Sequence, residues 1–75
     1  MTFSYHPCSI DPRSHLGDAV VWQFSTVEAH VVCGIGCVIG SCAWIGKGTV
    51  MGDNVRIQHG AFICRGSEIG HRVFI

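Results

Sequence analysis

The sequence predicts an all-β fold, a parallel β-helix of six-residue units, and two periodic registers carry that prediction. Counted from Val21, every sixth residue is apolar. Counted from Ser25, every sixth residue is small or short and branched. The registers are Val21, Val27, Cys33, Ile39, Ile45, Met51, Ile57, Ile63, Ile69 and Ile75, and Ser25, Val31, Cys37, Ala43, Thr49, Val55, Ala61, Ser67 and Val73. A fixed period indicates a repeat architecture, and hexapeptide units occur among β-helices.

A six-residue unit matches neither the helical period of 3.6 nor the strand alternation of two. Two or three extended residues followed by a corner do match it. The large residue then points inward from a flat side, and the small residue points inward at the corner. Three sides close a coil of about 18 residues, and successive coils stack as parallel strands. An ordinary sandwich is the alternative, but its short strands are not spaced so evenly.

Two glycine registers run in phase with the apolar ones. One follows the large residues directly, and the other precedes the small residues. They are Gly34, Gly40, Gly46, Gly52 and Gly70, and Gly36, Gly48, Gly60 and Gly66. Glycine adopts backbone angles that cost other residues free energy, which suits corners.

Taken in order, residues 1–7 show no repeat and are expected to be an irregular lead-in, and residues 8–75 form the β-helix domain. The step from Leu16 to Val21 is five residues, so one residue is missing from that corner. The solenoid is expected to have about three and a half to four coils. Ile75 is an inward position, so the pattern is cut in mid-repeat. We expect trimers to meet end to end as hexamers, or to aggregate, because a last coil exposes backbone and core.

Composition limits the function classes. The 75 residues allow one domain, with 48% hydrophobic and 13% charged residues and a formal net charge of zero. We therefore expect no nucleic-acid partner and no membrane partner. No apolar run is long enough to span a bilayer, and the first residues lack a signal-peptide pattern.

The five cysteines do not form a C-x-x-C pair. Cys8, Cys33 and Cys37 lie at inward positions, where a thiol behaves as a small apolar group. We therefore expect a cytoplasmic protein without disulfides and without a metal.

The outward positions are informative because the coil does not dictate them. Thr26, Trp44 and Phe62 are 18 residues apart and so lie above one another. Large aromatics stacked outside a solenoid form an apolar patch, and such patches mark interfaces. Isolated surface aromatics are the alternative. A three-sided prism with one apolar edge favours a cyclic homotrimer with Trp44 and Phe62 at the interface.

Two corner columns hold the candidate site residues. Gln23, Ser41 and His59 form one, beside the aromatic edge, and Lys47 and Arg65 form the other. Clefts at subunit boundaries often bind small molecules. For Lys47 and Arg65 the alternative is a solvated charge pair. For His59 it is a surface histidine without chemistry.

The period resembles that of the hexapeptide-repeat superfamily, whose fold is a left-handed parallel β-helix and whose members are usually homotrimers. The left hand is implied by this resemblance alone, since the general rule for parallel crossovers gives the right hand. Several segments, in order and spacing, resemble bacterial UDP-amino-sugar N-acetyltransferases. These segments are Ser9-Ile10-Asp11-Pro12, Leu16-Gly17-Asp18, Val21-Trp22-Gln23-Phe24, Cys37-Val38-Ile39-Gly40 and Val55-Arg56-Ile57-Gln58-His59-Gly60.

The resemblance implies acetyl-CoA as co-substrate, a nucleotide sugar as acceptor, and sites shared between subunits. The family has Gln-Asn-Asn where this chain has Gln58-His59-Gly60, so only Gln58 carries over. The family's chain also continues for further coils, so this chain is expected to be a truncated member.

If the chain is an acetyltransferase, each candidate site residue has an expected role. His59 is the candidate base, because histidine titrates near neutral pH. Gln58 and Gln23 are candidate substrate-binding residues, and Lys47 and Arg65 are candidate phosphate contacts. The non-enzyme alternative is a trimeric β-helix that serves as a relic or scaffold.

A γ-class carbonic anhydrase is the remaining alternative. His59 to Cys64 has the shape of that family's metal-binding segment. His59 matches the first histidine of the segment, but Cys64 stands at the second, and the third ligand would fall near Gln23. Catalytic zinc needs three protein ligands and an open position.

Overall fold

The computed structural model describes all residues from Met1 to Ile75, and its regular structure consists of two-residue strands. The strands are β1 (Phe3–Ser4), β2 (Ser9–Ile10), β3 (Val20–Val21), β4 (Thr26–Val27), β5 (Val38–Ile39), β6 (Trp44–Ile45), β7 (Val50–Met51), β8 (Arg56–Ile57), β9 (Phe62–Ile63) and β10 (Glu68–Ile69). No helix is present, so the structure contains no apolar helix of membrane-spanning length.

The strands form three parallel sheets, which we call faces A, B and C. Face A has the order β1-β3-β5-β8, face B the order β2-β4-β6-β9, and face C pairs β7 with β10. Single bridges extend face C through His15 and Val32. The chain is thus an all-β, left-handed parallel solenoid of about 4 turns, which confirms the predicted fold class.

The registers show the coil length directly. Val20 pairs with Val38, and Val38 with Arg56, so the coil contains 18 residues. Ser9 pairs with Thr26, so the first coil contains 17. The shorter coil agrees with the residue missing between Leu16 and Val21.

The N-terminal segment differs from the irregular lead-in expected for residues 1–7. Phe3 and Ser4 form β1, which pairs with Val20 and Val21 and begins face A. The backbone N–H of Tyr5 then donates to the carbonyl of Val21 (2.9 Å). A strand forms here without a repeat in the sequence because β3 offers free backbone groups to pair with.

Both inward registers fill the core. Val21, Ile39 and Ile45 are fully buried from the flat sides, as are Val31 and Val55 at the corners. Buried polar residues at corners are satisfied locally, since the hydroxyl of Thr49 donates to the carbonyl of Gly46 (2.8 Å). The core thins in the last coil, where Ile75 is 38% exposed.

The two glycine registers serve different purposes. Every corner from residue 24 onward has one residue with a positive φ. At four of these corners the residue is a glycine, namely Gly36, Gly48, Gly60 and Gly66. Phe24, His30, Cys42, Asn54 and Arg72 adopt the same conformation without being glycine. Gly40 and Gly46 instead face the next coil, where an added Cβ would lie 2.6 Å from the His59 nitrogen and 2.5 Å from the Arg65 nitrogen, respectively.

Candidate functional site

His59 lies at the corner between faces A and B, which we call the AB corner. Its Nδ1 accepts a hydrogen bond from the backbone N–H of Ser41 in the coil below (2.7 Å). The Ser41 hydroxyl oxygen is also 2.7 Å from Nδ1. Because Nδ1 offers its lone pair to the N–H, the neutral ring carries its proton on Nε2. His59 therefore presents an N–H donor to solvent.

The same kind of contact recurs at the corner between faces C and A. The Nδ1 of His71 accepts from the backbone N–H of Asp53 (2.8 Å), and Asp53 Oδ1 accepts from the N–H of Ile35 (2.8 Å). In each case a side chain satisfies a backbone donor of the coil below. Satisfying such donors contributes to stability, so His59 has a structural contact whatever its chemistry.

Gln23 occupies the AB corner two coils below His59. Its side-chain nitrogen donates to the backbone carbonyl of His6 (3.3 Å), and its backbone carbonyl accepts from the N–H of Cys42 (3.1 Å). The amide of Gln23 is thus directed at the N-terminal segment.

Lys47 and Arg65 lie at the other edge of face B, the BC corner, with Glu28. Glu28 Oε1 accepts from the backbone N–H of Lys47 (2.8 Å) and lies 3.4 Å from Nε of Arg65. The Lys47 N–H, with help from Arg65, lowers the pKa of Glu28. The charge of Arg65 is thus partly balanced within the chain, in an exposed pair worth little to stability.

Trp44 and Phe62 stack between these two corners, on face B. Their ring centroids are 6.4 Å apart and their planes differ by 15°. Trp44 is 41% exposed and Phe62 is 68% exposed. With Glu28 and Arg65 they line a shallow cavity of about 580 Å³. The vertical stacking predicted for these two aromatics is present.

Within one chain, the five predicted polar residues fall into separate groups. Gln58 and His59 line a groove of about 320 Å³ on face A, together with Trp22 and Arg56. Lys47 and Arg65 lie across face B from this groove. Glu28 was not predicted as a site residue, although Gly46 follows it in its column. Trp22 was not predicted either. Its column continues into a glycine, and this feature of the sequence indicates an uncovered indole.

The cysteines form no disulfide. Burial raises the pKa of the Cys33 thiol to about 12, helped by neighbouring Cys37, so this thiol stays protonated and unreactive. No three histidine, cysteine or acidic side chains of the chain come together in a way that could hold a metal ion. The carbonic anhydrase ligands were expected to come from two subunits, so that alternative stays a prediction.

The fold defines the class of protein as a parallel β-solenoid, which is compatible with a hexapeptide-repeat protein. No protein-family model, curated protein or solved structure matches the chain.

Proposed function

We propose that the chain is a hexapeptide-repeat protein of the acetyltransferase type, which assembles as a homotrimer through face B and binds acetyl-CoA and an amino-sugar nucleotide at the subunit boundary. The acetyl-transfer chemistry rests on the resemblance of the repeat segments, and one observation supports the shared interface. The exposed stack of Trp44 and Phe62 lies between two polar corners. An apolar strip with a polar rim is the usual anatomy of an interface.

A cyclic arrangement accounts for the separation of the candidate residues. In a threefold ring, one edge of each prism meets a different edge of its neighbour. The AB corner with Gln58 and His59 would then approach the BC corner of the next subunit, which carries Lys47 and Arg65. A site assembled in this way has hydrogen-bonding groups on one wall and positive charge on the other, and so suits a ligand with phosphates.

The chemistry of amide formation makes modest demands on these residues. The sugar amine attacks the thioester carbonyl, the new C–N bond forms, and the C–S bond breaks. The departing thiolate takes up the proton that the amine loses. Alignment of two bound substrates supplies much of the rate enhancement in such a reaction.

His59 fits this scheme best as a donor through Nε2–H, directed at an oxygen that becomes negative during attack. Its role as general base stays a prediction, and it requires a lone pair on Nε2. That lone pair becomes available only when Nδ1 releases the N–H of Ser41 and takes the proton instead.

A non-catalytic trimeric scaffold is the second candidate, and a specific contact favours it. His59 holds the Ser41 N–H as His71 holds the N–H of Asp53. Because His71 makes the same contact at another corner, the contact of His59 is explained by stability alone.

An activity assay separates the two candidates. The purified protein is incubated with acetyl-CoA and UDP-amino-sugars, and thiol release is measured. His59→Gln is compared with the matched control His71→Gln, because both histidines cap a backbone N–H. Turnover that disappears in His59→Gln but persists in His71→Gln supports the enzyme. A trimer without turnover supports the scaffold. Turnover that persists in both variants contradicts the role of His59.

Metal analysis of the same preparation tests the carbonic anhydrase alternative. Zinc bound at near one ion per chain and lost in His59→Gln would favour that alternative over acetyl transfer. Binding of less than a tenth of an ion per chain would remove it.

A further inference from the structure

One position of face A changes character from coil to coil. Tyr5, Trp22, Gly40 and Gln58 each follow a strand of this face. The backbone N–H groups of Tyr5, Trp22 and Gly40 each donate to the coil that follows, at 2.9, 2.9 and 2.8 Å, so these residues stack along the solenoid. From the first coil to the last, this column therefore has two aromatic side chains, then a glycine, then an amide side chain.

The gap at Gly40 leaves one face of an aromatic ring uncovered. Tyr5 stacks under the indole of Trp22, with centroids 4.5 Å apart and planes 12° from parallel. On the opposite side of the indole, the residue that follows Trp22 in its column is Gly40, which has no side chain. This glycine cannot be replaced easily, because a Cβ there would lie 2.6 Å from the backbone nitrogen of His59. The fold thus keeps a gap above Trp22.

The gap forms a notch of about 320 Å³, which we call the Trp22 notch. Its lining includes Trp22, Val38, Gly40, Arg56, Gln58 and His59. Coils are spaced by about 4.8 Å, so Gln58 lies about two spacings above Trp22. That separation admits one planar ring stacked on the indole.

The polar groups around the notch are free of partners in the chain. Arg56 makes no ion pair, and the amide of Gln58 makes no side-chain hydrogen bond. The Nε2–H of His59 is also free, since the ring bonds Ser41 through Nδ1. No side-chain carboxylate lines the notch. Arg56 is therefore the cationic side chain of the notch, and the other groups suit a ligand with both donors and acceptors.

We propose that the Trp22 notch binds a purine mononucleotide. The base stacks on the free face of Trp22, the amide of Gln58 pairs with the polar edge of the base, and Arg56 meets the phosphate. Glutamine amides pair with adenine edges through two hydrogen bonds, and arginine binds phosphate by the same fork geometry. The volume is near the lower end of small-molecule sites, which suits a mononucleotide better than a whole coenzyme.

This site shares Gln58 and His59 with the one proposed for acetyl transfer, but it does not rest on that proposal. It lies on face A of a single chain and needs neither a trimer nor catalysis. Gln58 and His59 belong to the AB corner and so border both sites. Binding at the notch is therefore measured directly, without an activity readout.

The first test is an NMR titration of the unaltered protein with AMP, observing the two indole N–H signals, since the chain has 2 Trp. Trp44→Phe assigns the signals. We expect the Trp22 signal to shift with saturation and the Trp44 signal to stay in place. An unshifted Trp22 signal at millimolar AMP, or a larger shift at Trp44, overturns the proposal. UMP that binds as tightly as AMP overturns the purine assignment.

The second test separates the phosphate from the base. Arg56→Gln should weaken AMP binding by at least about fivefold, the loss of one charge-assisted contact, and leave adenosine binding unchanged. Arg72→Gln, a change at an exposed arginine outside the notch, should alter neither. Trp22→Leu should weaken both ligands by about fivefold or more, since stacking of a base on an aromatic ring is worth that much. Equal losses in Arg56→Gln and Arg72→Gln would contradict a phosphate contact at Arg56.

Discussion

At the scale of single residues, the corners of the solenoid are held by contacts that cross from one coil to the next. Gly46 and Gly70 occupy the same register of the repeat, but their surroundings differ. A Cβ on Gly46 would lie 2.5 Å from the backbone nitrogen of Arg65, whereas a Cβ on Gly70 would meet nothing within 4 Å. Neither residue has a positive φ, so the effect of a methyl group at each depends on space alone.

Gly46→Ala is therefore expected to destabilise the fold by about 2 kcal/mol, because the coils must move apart. Gly70→Ala is the matched control, and we expect it to be neutral or slightly stabilising because alanine restricts the unfolded chain. Thermal and urea unfolding of both variants measures the difference. Equal stability of the two would contradict the close approach of the coils at Gly46.

The lowered pKa of Glu28 makes the stability of the fold depend on pH. This pKa is lowered from its usual value of 4.5, and the largest cause is the hydrogen bond that the Lys47 N–H donates to the carboxylate. A carboxyl whose pKa is lower in the folded state stabilises that state above its unfolded pKa. The contribution is lost as the pH falls through the folded pKa.

We therefore expect the stability of the native chain to decline below pH 4.5, and Glu28→Gln to decline less steeply because it has no charge to lose. Glu68→Gln is the control, since Glu68 is exposed on β10 and forms no ion pair. Urea midpoints measured from pH 7 to pH 3 test this. A steeper acid decline in Glu28→Gln than in the native chain would contradict it.

At the scale of the strand, each two-residue element has one inward and one outward side chain. In β8, Ile57 is buried and Arg56 is exposed. Ile57→Asp should unfold the protein, because the loss of the side chain alone costs about 2–5 kcal/mol and an unpaired carboxyl adds to it. Small domains have little more stability than this to lose.

Arg56→Asp, one residue away in the same strand, should keep the fold, since its neighbours in the column are Val38 and Phe74 rather than acidic residues. Circular dichroism and thermal melting distinguish the two variants. A chain that tolerates Ile57→Asp as well as Arg56→Asp would exclude the β-helix.

The strands could be predicted from the sequence because each inward position recurs with the period of the coil. The register of 18 residues, the 17-residue first coil and the stack of Trp44 on Phe62 all follow from counting. β1 could not be predicted in this way, since Phe3 and Ser4 precede the repeat and are ordered by pairing with β3.

The candidate site could be predicted only in part. Counting places His59 above Ser41, but it does not show that the ring bonds the Ser41 N–H through Nδ1. It also does not show that Glu28 reaches from its own coil to Lys47 and Arg65. These contacts depend on side-chain rotamers, which a period does not specify.

At the scale of the whole molecule, the chain is a prism whose faces differ in character. Face B has the stacked Trp44 and Phe62, and face C has Val32 and Val50 outward with Glu68. A small β-helix gains stability by covering an apolar face, because a short chain buries a modest core. We therefore expect face B to be the contact of a trimer.

Trp44→Glu should dissociate that trimer, since it places a charge in an apolar contact. Val32→Glu is the matched control, because Val32 is 39% exposed, much like Trp44 at 41%, but lies on face C. We expect Val32→Glu to leave the mass unchanged. Dissociation by Val32→Glu but not by Trp44→Glu would move the interface to face C.

The most direct test of the proposed assembly is the mass of the unaltered protein in solution, measured by light scattering after size exclusion. We expect three times the chain mass of 8.1 kDa. A folded monomer of 8.1 kDa, with the circular dichroism of a β-helix, would contradict the trimer and with it a site shared between subunits.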